Sequence, residues 1–150
     1  MASVPGVSAP VAVADPLRTR VSVALGGAAG ALLRTGLVAG AALIAPNGAV
    51  LALVLGNILG AAGLGWLVGR GATDPRVARM LPLLGTGVLG AFTTFSALVD
   101  RIGRTLLEGE PVLALAIAAV SIAGGVAAGS AGLRIGCAGR RRGGPEGGRP

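Results

Sequence analysis

Residues 85–96 read GTGVLGAFTTFS, and this stretch decides the fold. Three glycines are followed by three hydroxyl residues, all within an apolar run, so its helix propensity is poor. We therefore predict that a membrane-spanning helix is interrupted between Leu89 and Ser96. Main-chain groups freed inside a bilayer must be buried in protein or line a polar cavity, which makes an interruption a candidate ion site. The alternative is that Gly, Thr and Ser simply let neighbouring helices approach and hydrogen-bond.

The composition is that of a membrane protein. Hydrophobic residues make up 53%, charged residues 13%, and the mean hydropathy is +0.79, whereas soluble domains carry about 25% charged residues. The fold class is predicted as all-α, with four transmembrane helices and a broken third helix. Residues 1–19 and 138–150 are predicted as disordered tails around a membrane domain of residues 20–137. The four apolar runs cover residues 21–44, 48–69, 81–98 and 112–136.

The arginines indicate one orientation in the membrane. Four spans put both termini and the charged 70–79 connection on one side, where ten arginines lie. Two arginines lie in the polar 100–111 connection, which could extend the third helix past the membrane. The positive-inside rule then predicts a multi-pass protein of the cell membrane with both termini in the cytoplasm. Because most arginines flank apolar runs without interleaved aromatic residues, we expect no nucleic-acid partner.

The side-chain inventory argues against an enzyme. The chain has no His and one Cys, Cys137, so an internal disulfide and the usual zinc sites are excluded. The sequence has no combination of a nucleophile with a general base, and it has no glycine-rich loop that could bind phosphate. No Asp or Glu lies within a predicted span, which counts against proton-coupled antiport and favours a passive pathway.

Three polar residues within the other predicted spans are candidate site residues. Arg34 is the only charge inside an apolar core, which indicates a functional site, although an early helix end would let it reach the interface instead. Asn57 in the second span and Ser121 in the fourth could each donate to an anion or bridge two helices. The sequence leaves both interpretations open.

Three motifs resemble the Fluc/CrcB family of fluoride channels. They are GGAAGALLR at residues 26–34, NILG at 57–60 and, most specifically, GAFTTFS at 90–96. The resemblance implies a dimer of two oppositely oriented four-helix subunits in the lipid bilayer. The broken third helices would cross at its centre, with two pathways for passive fluoride export along the interface.

The same resemblance assigns roles to individual residues. It implies that the main-chain carbonyls of Gly90 and Thr93 hold a structural Na⁺, that Phe95 presents its ring edge to fluoride, and that Arg34 lies toward a vestibule. Hydroxyl and amide donors would replace the water around fluoride. These donors belong to Asn57, Thr94, Ser96 and Ser121.

Three positions depart from the family pattern. Ala91 replaces a glycine, Leu98 stands where the family has a second pore Phe, and Ile117 stands where the fourth span often carries Tyr. With the arginine bias, this suggests one subunit of a heterodimer with an inverted paralogue; a homodimer is the alternative. Outside the family, we also consider a small four-helix drug exporter, which should show a membrane Glu, and a non-conducting structural membrane protein.

Overall fold

The computed structural model describes residues 15–138, all of which belong to helices or the short segments that join them. Four helical segments are long and apolar enough to cross a membrane, as predicted. Three are continuous: α1 (Pro16–Ile44), α2 (Gly48–Gly71) and α6 (Pro111–Ala138). Residues 1–14 and 139–150, which make up most of the predicted disordered tails, lie outside the described residues.

The third span consists of several pieces. It begins with α3 (Pro75–Met80), continues as a π-helical segment (Leu81–Leu89) and a single turn, α4 (Gly90–Phe92), and resumes as α5 (Phe95–Leu107). We call residues 75–92 half-helix 3a and α5 half-helix 3b. Pro82 lies in the π-helical segment and has no N–H to donate to it. π-helical turns within α-helices are frequent at functional sites.

Two helices begin earlier than predicted. The predicted N-terminal tail included residues 16–19, and the predicted charged loop covered 70–79, but both contain helix. In each case an aspartate caps the helix and a proline occupies its first turn. Asp15 accepts the Leu17 N–H at 3.0 Å, and Asp74 accepts the Arg76 N–H at 2.9 Å. The Asp-Pro pairs were the sequence signal for these boundaries.

The third span also ends later than the predicted Leu98. Half-helix 3b continues to Leu107, and a glycine-based cap closes it. Gly109 adopts a φ of 82°, and its N–H donates to the Leu106 carbonyl at 3.1 Å. The Glu110 N–H donates to the Thr105 carbonyl, also at 3.1 Å, which completes a Schellman motif. The polar 100–111 stretch therefore extends the third helix as far as Leu107.

Glycines set the closest helix contacts. In the seam between α2 and α6, a Cβ atom on Gly132 would overlap the carbonyl oxygen of Ala62. Between α1 and the π-helical segment, a Cβ on Gly87 would lie 2.9 Å from the Cα of Gly26. Only residues without side chains allow backbones to approach so closely.

A small apolar cluster lies along the N-terminal half of α2. Val54, Leu98 and Ile117 are buried together, with Val50, Ile58 and Ile102 packed against them. This cluster joins α2, half-helix 3b and α6. It contains two of the three residues that depart from the family pattern.

Candidate functional site

The third span is interrupted at two residues. Thr93 (φ −82°, ψ 143°) and Thr94 (φ −146°, ψ 118°) are extended, and they separate half-helix 3a from half-helix 3b. The interruption falls inside the 89–96 stretch that the sequence singles out. Gly60, at the middle of α2, faces it so closely that a Cβ atom there would overlap the Thr93 methyl group. The interruption therefore lies near the middle of the membrane-spanning helices.

Asn57 bridges α2 to the interruption. The Thr94 N–H donates to Asn57 Oδ1 at 2.9 Å, and Asn57 Nδ2 donates to the Thr94 carbonyl at 3.2 Å. Both main-chain groups of an extended residue are thus satisfied by one side chain. A primary amide carries two N–H donors, so one hydrogen on Nδ2 remains for another acceptor. The bridging and donating interpretations of Asn57 are compatible.

The interruption diverts the amides that would bond two carbonyls. In a continuous helix the Thr94 N–H would donate to the Gly90 carbonyl, and the Ala97 N–H to the Thr93 carbonyl. Here the Thr94 N–H goes to Asn57, and the Ala97 N–H donates to Thr94 Oγ1 at 3.3 Å as a helix cap. The Gly90 and Thr93 carbonyls therefore lack those helical donors. Carbonyl oxygens are typical ligands of hard cations.

A groove of about 340 Å³ lies beside the interruption. The predicted site residues Asn57, Thr94, Phe95 and Ser121 line it together with Thr93. Ser121 is 6% exposed, and its Oγ is buried without a hydrogen-bond partner in the described part of the chain. The wall of the groove therefore holds a buried hydroxyl without a partner among the described residues. Its remaining lining is Leu98, Ile122, Gly125 and Val126.

Three predicted site residues do not line this groove: Gly90, Ser96 and Arg34. Ser96 is exposed, and its Oγ lies 3.1 Å from Thr94 Oγ1, so it reaches the site only through Thr94. Arg34 is half-buried, and its Nε donates to the Ala91 carbonyl at 3.3 Å. The Arg34 side chain lines a separate groove of about 380 Å³ between α1, α2 and half-helix 3b.

The sequence interpretation missed Arg101. The sequence placed it in a polar connection or a helical extension of the third span and gave it no role. It lies in half-helix 3b and lines both the Arg34 groove and a neighbouring apolar groove. The glycine cap at Gly109 was the available signal, because it shows that the helix continues through Arg101.

Comparison with known proteins identifies the family. The family model described as "CrcB-like protein, Camphor Resistance (CrcB)" matches residues 21–133. The chain belongs to the CrcB family. A protein of Deinococcus radiodurans named "Fluoride-specific ion channel FluC" is 46% identical to this CrcB chain over 118 residues, which cover 76% of the chain and 91% of the relative.

Two further relatives agree. "Fluoride-specific ion channel FluC 2" of Thermobifida fusca is 41% identical over 111 residues, 73% of this chain and 82% of the relative. The protein of the same name from Leifsonia xyli is 36% identical over 131 residues, 84% of this chain and 89% of the relative. The resemblance seen in the sequence is confirmed, as is the expectation of a multi-pass membrane protein, and the named relatives are ion channels and not enzymes.

Proposed function

We propose that this CrcB chain is a subunit of a channel that lets fluoride leave the cell passively. The observation that carries the proposal is the polar opening at Thr93 and Thr94, in the middle of an apolar span and beside a groove with an unpartnered serine. Fluoride is proposed as the ion because the relatives are named fluoride-specific channels. Fluoride that enters as HF and dissociates in the cytoplasm needs only a conductive exit, so no energy source is required.

The groove offers the donors that fluoride needs. A pore must replace the water around its ion with fixed groups. The Ser121 hydroxyl and the remaining Asn57 N–H have no acceptor among residues 15–138. Thr94 and Ser96 share one hydrogen bond, which leaves one of their two hydroxyl hydrogens available. The edge of the Phe95 ring is electropositive and suits an anion.

A second subunit accounts for the exposure of the interruption. Gly90 and Ser96 are exposed in the single chain, and Phe95 is 74% exposed. Polar main chain at this depth is tolerated only where protein or a water-filled cavity covers it. We infer that an oppositely oriented subunit packs against this face, as the family resemblance implies. Their joint interface would then contain the fluoride pathway.

The same interface would hold a structural Na⁺. The Gly90 and Thr93 carbonyls, which lose their helical donors at the interruption, would act as its ligands from both subunits. The ion would offset the partial negative charge of carbonyls gathered within the membrane. Replacing Na⁺ with N-methylglucamine throughout purification should then weaken the dimer, as measured by its dissociation on dilution in liposomes.

The partner in this proposal is an inverted paralogue. The arginine bias commits the chain to one orientation, with both termini in the cytoplasm. Leu98 and Ile117, which stand where pore aromatics are expected, pack in the apolar cluster with Val54, and only Leu98 also lines the groove beside the interruption. Two relatives carry the number 2 in their names, which is consistent with paired genes. The paralogue would complete a pathway that this chain lines only in part.

Fluoride efflux from liposomes tests the proposal. The chain reconstituted with its inverted paralogue should release F⁻, and Phe95→Ile and Asn57→Ala should each slow the release, whereas Asn47→Ala in the α1–α2 turn should not. Unchanged efflux in both pore variants would refute the pathway. Efflux from the chain reconstituted alone would establish the homodimer instead. Export of a lipophilic cation in place of fluoride would favour the drug-exporter alternative.

A further inference from the structure

Arginines gather at the end of the membrane domain that carries both termini. We call those among residues 15–138 the terminal arginines, and they are Arg18, Arg20, Arg70, Arg76, Arg79 and Arg134. All of them are exposed except Arg70, which is half-buried. None forms an ion pair with a carboxylate of residues 15–138. This end therefore carries positive charge that the described part of the chain does not pair.

The carboxylates at this end have another role. Asp15 and Asp74 each accept a main-chain N–H as a helix cap, and no other carboxylate of residues 15–138 lies at this end. At the opposite end, each arginine of half-helix 3b has a carboxylate partner, at 2.8 Å for Arg104 and 3.9 Å for Arg101. The two ends thus differ in how their arginines are paired and not only in how many they have.

Arg70 and Arg134 lie together at the boundary of the hydrocarbon core. Gly60 faces the interruption near the middle of the membrane, and Arg70 follows it by ten residues, roughly 15 Å along α2. The hydrocarbon core extends about that far from its centre. Arg134 lies at a similar height on α6, because a Cβ atom on Gly136, two residues further on, would lie 2.7 Å from the Arg70 N atom. The two guanidinium groups therefore extend from neighbouring helix turns at the depth of lipid headgroups.

Two adjacent positive charges repel each other unless an anion lies between them. At this depth the surrounding anions are phospholipid headgroups, and arginines near the membrane surface attract the anionic ones. Trp66, one turn before Arg70, is 43% exposed, which is typical of a side chain at the lipid interface. We propose that Arg70 and Arg134 bind the headgroup of one anionic phospholipid at the end of the α2–α6 seam, and that the other terminal arginines attract further anionic lipids. This site does not depend on which ion the protein conducts.

Fluorescence quenching by brominated lipids tests the site. Trp66 is the only tryptophan of the chain, so its emission reports on lipid at this position. The full-length protein, with any tryptophan of a partner subunit changed to phenylalanine, is reconstituted in phosphatidylcholine vesicles that contain acyl-brominated phosphatidylglycerol or acyl-brominated phosphatidylcholine. The brominated phosphatidylglycerol should quench Trp66 more strongly. Arg134→Gln should reduce this preference by about fivefold, which is the contribution of one arginine near an anionic surface.

The controls separate the possible outcomes. Arg104→Gln makes the same change in net charge at the opposite end, and should leave the preference within about twofold. Arg134→Lys should retain the preference, because either basic side chain attracts an anionic headgroup, and Arg70→Gln should lower it. Equal quenching by the two lipids, an unchanged preference in Arg134→Gln, or an equal loss in Arg104→Gln would overturn the site. If neither lipid quenches Trp66, protein covers this face and the proposal is also wrong.

Discussion

The α2–α6 seam and the interrupted third span hold helices together by opposite means. In the seam, both helices are continuous and Gly65, Gly69, Gly132 and Gly136 bring backbone directly against backbone. At the interruption, the backbone is open, and side chains from other helices complete its hydrogen bonds. Asn57 reaches it from α2 and Arg34 from α1.

The difference shows where each kind of residue is required in a bilayer. Lipid is as apolar as leucine, so helices associate through close packing, and residues without side chains achieve it. A polar side chain is needed only where the main chain leaves the helix, because unsatisfied groups there cost several kcal/mol, about 2–7 by transfer measurements. Added side-chain volume should therefore destabilise the seam, and the loss of a polar partner should destabilise the interruption.

Gly132→Leu should have the largest effect on stability. Even its Cβ would overlap the Ala62 carbonyl oxygen and lie 3.0 Å from the Trp66 N atom, and both are backbone atoms that cannot turn away. We expect a loss of about 3 kcal/mol or more, measured as unfolding by denaturant in detergent. Gly36→Leu is the matched control, because nothing lies within 4 Å of a Cβ built there. Equal stability of the two variants would contradict the role of the seam.

Asn57→Ala should have an intermediate effect. It removes both partners of Thr94, whose N–H and carbonyl would remain unsatisfied within the membrane. We expect a loss of about 2 kcal/mol and faster hydrogen exchange of the Thr94 amide. Asn47→Ala should change stability by less than about 0.5 kcal/mol, because Asn47 is exposed and makes no side-chain cap bond. A protected Thr94 amide in Asn57→Ala would show that the interruption does not depend on this bridge.

Ser121→Ala should have the smallest effect on stability. The Ser121 Oγ has no partner to lose, so the free energy of unfolding should stay within about 0.5 kcal/mol. Fluoride efflux should nevertheless fall, by up to about tenfold, if the hydroxyl donates to the ion. Ser130→Ala, at an exposed position of the same helix, should change neither quantity. Destabilisation by Ser121→Ala without a change in efflux would make this serine structural.

Much of the site could be predicted from the sequence. Glycine and hydroxyl residues within an apolar run indicated where the helix opens, and Asn57 and Ser121 were the notable polar residues in their spans. The geometry could not be predicted, because it depends on contacts between residues far apart in the chain. Thr94 is 37 residues from the Asn57 that satisfies it, and Arg34 is 57 residues from Ala91.

The sequence alone determined that the chain resides in the membrane, because about 20 consecutive apolar residues bury more favourably in lipid than in water, whatever their partners. Local signals also mark the starts of α1 and α3 and the end of half-helix 3b. Only the tertiary structure decided which side chains meet. It placed Leu98 and Ile117 in a shared apolar cluster and brought Arg101 beside Arg34. These outcomes depend on which faces of separate helices meet, and that depends on packing across the whole molecule.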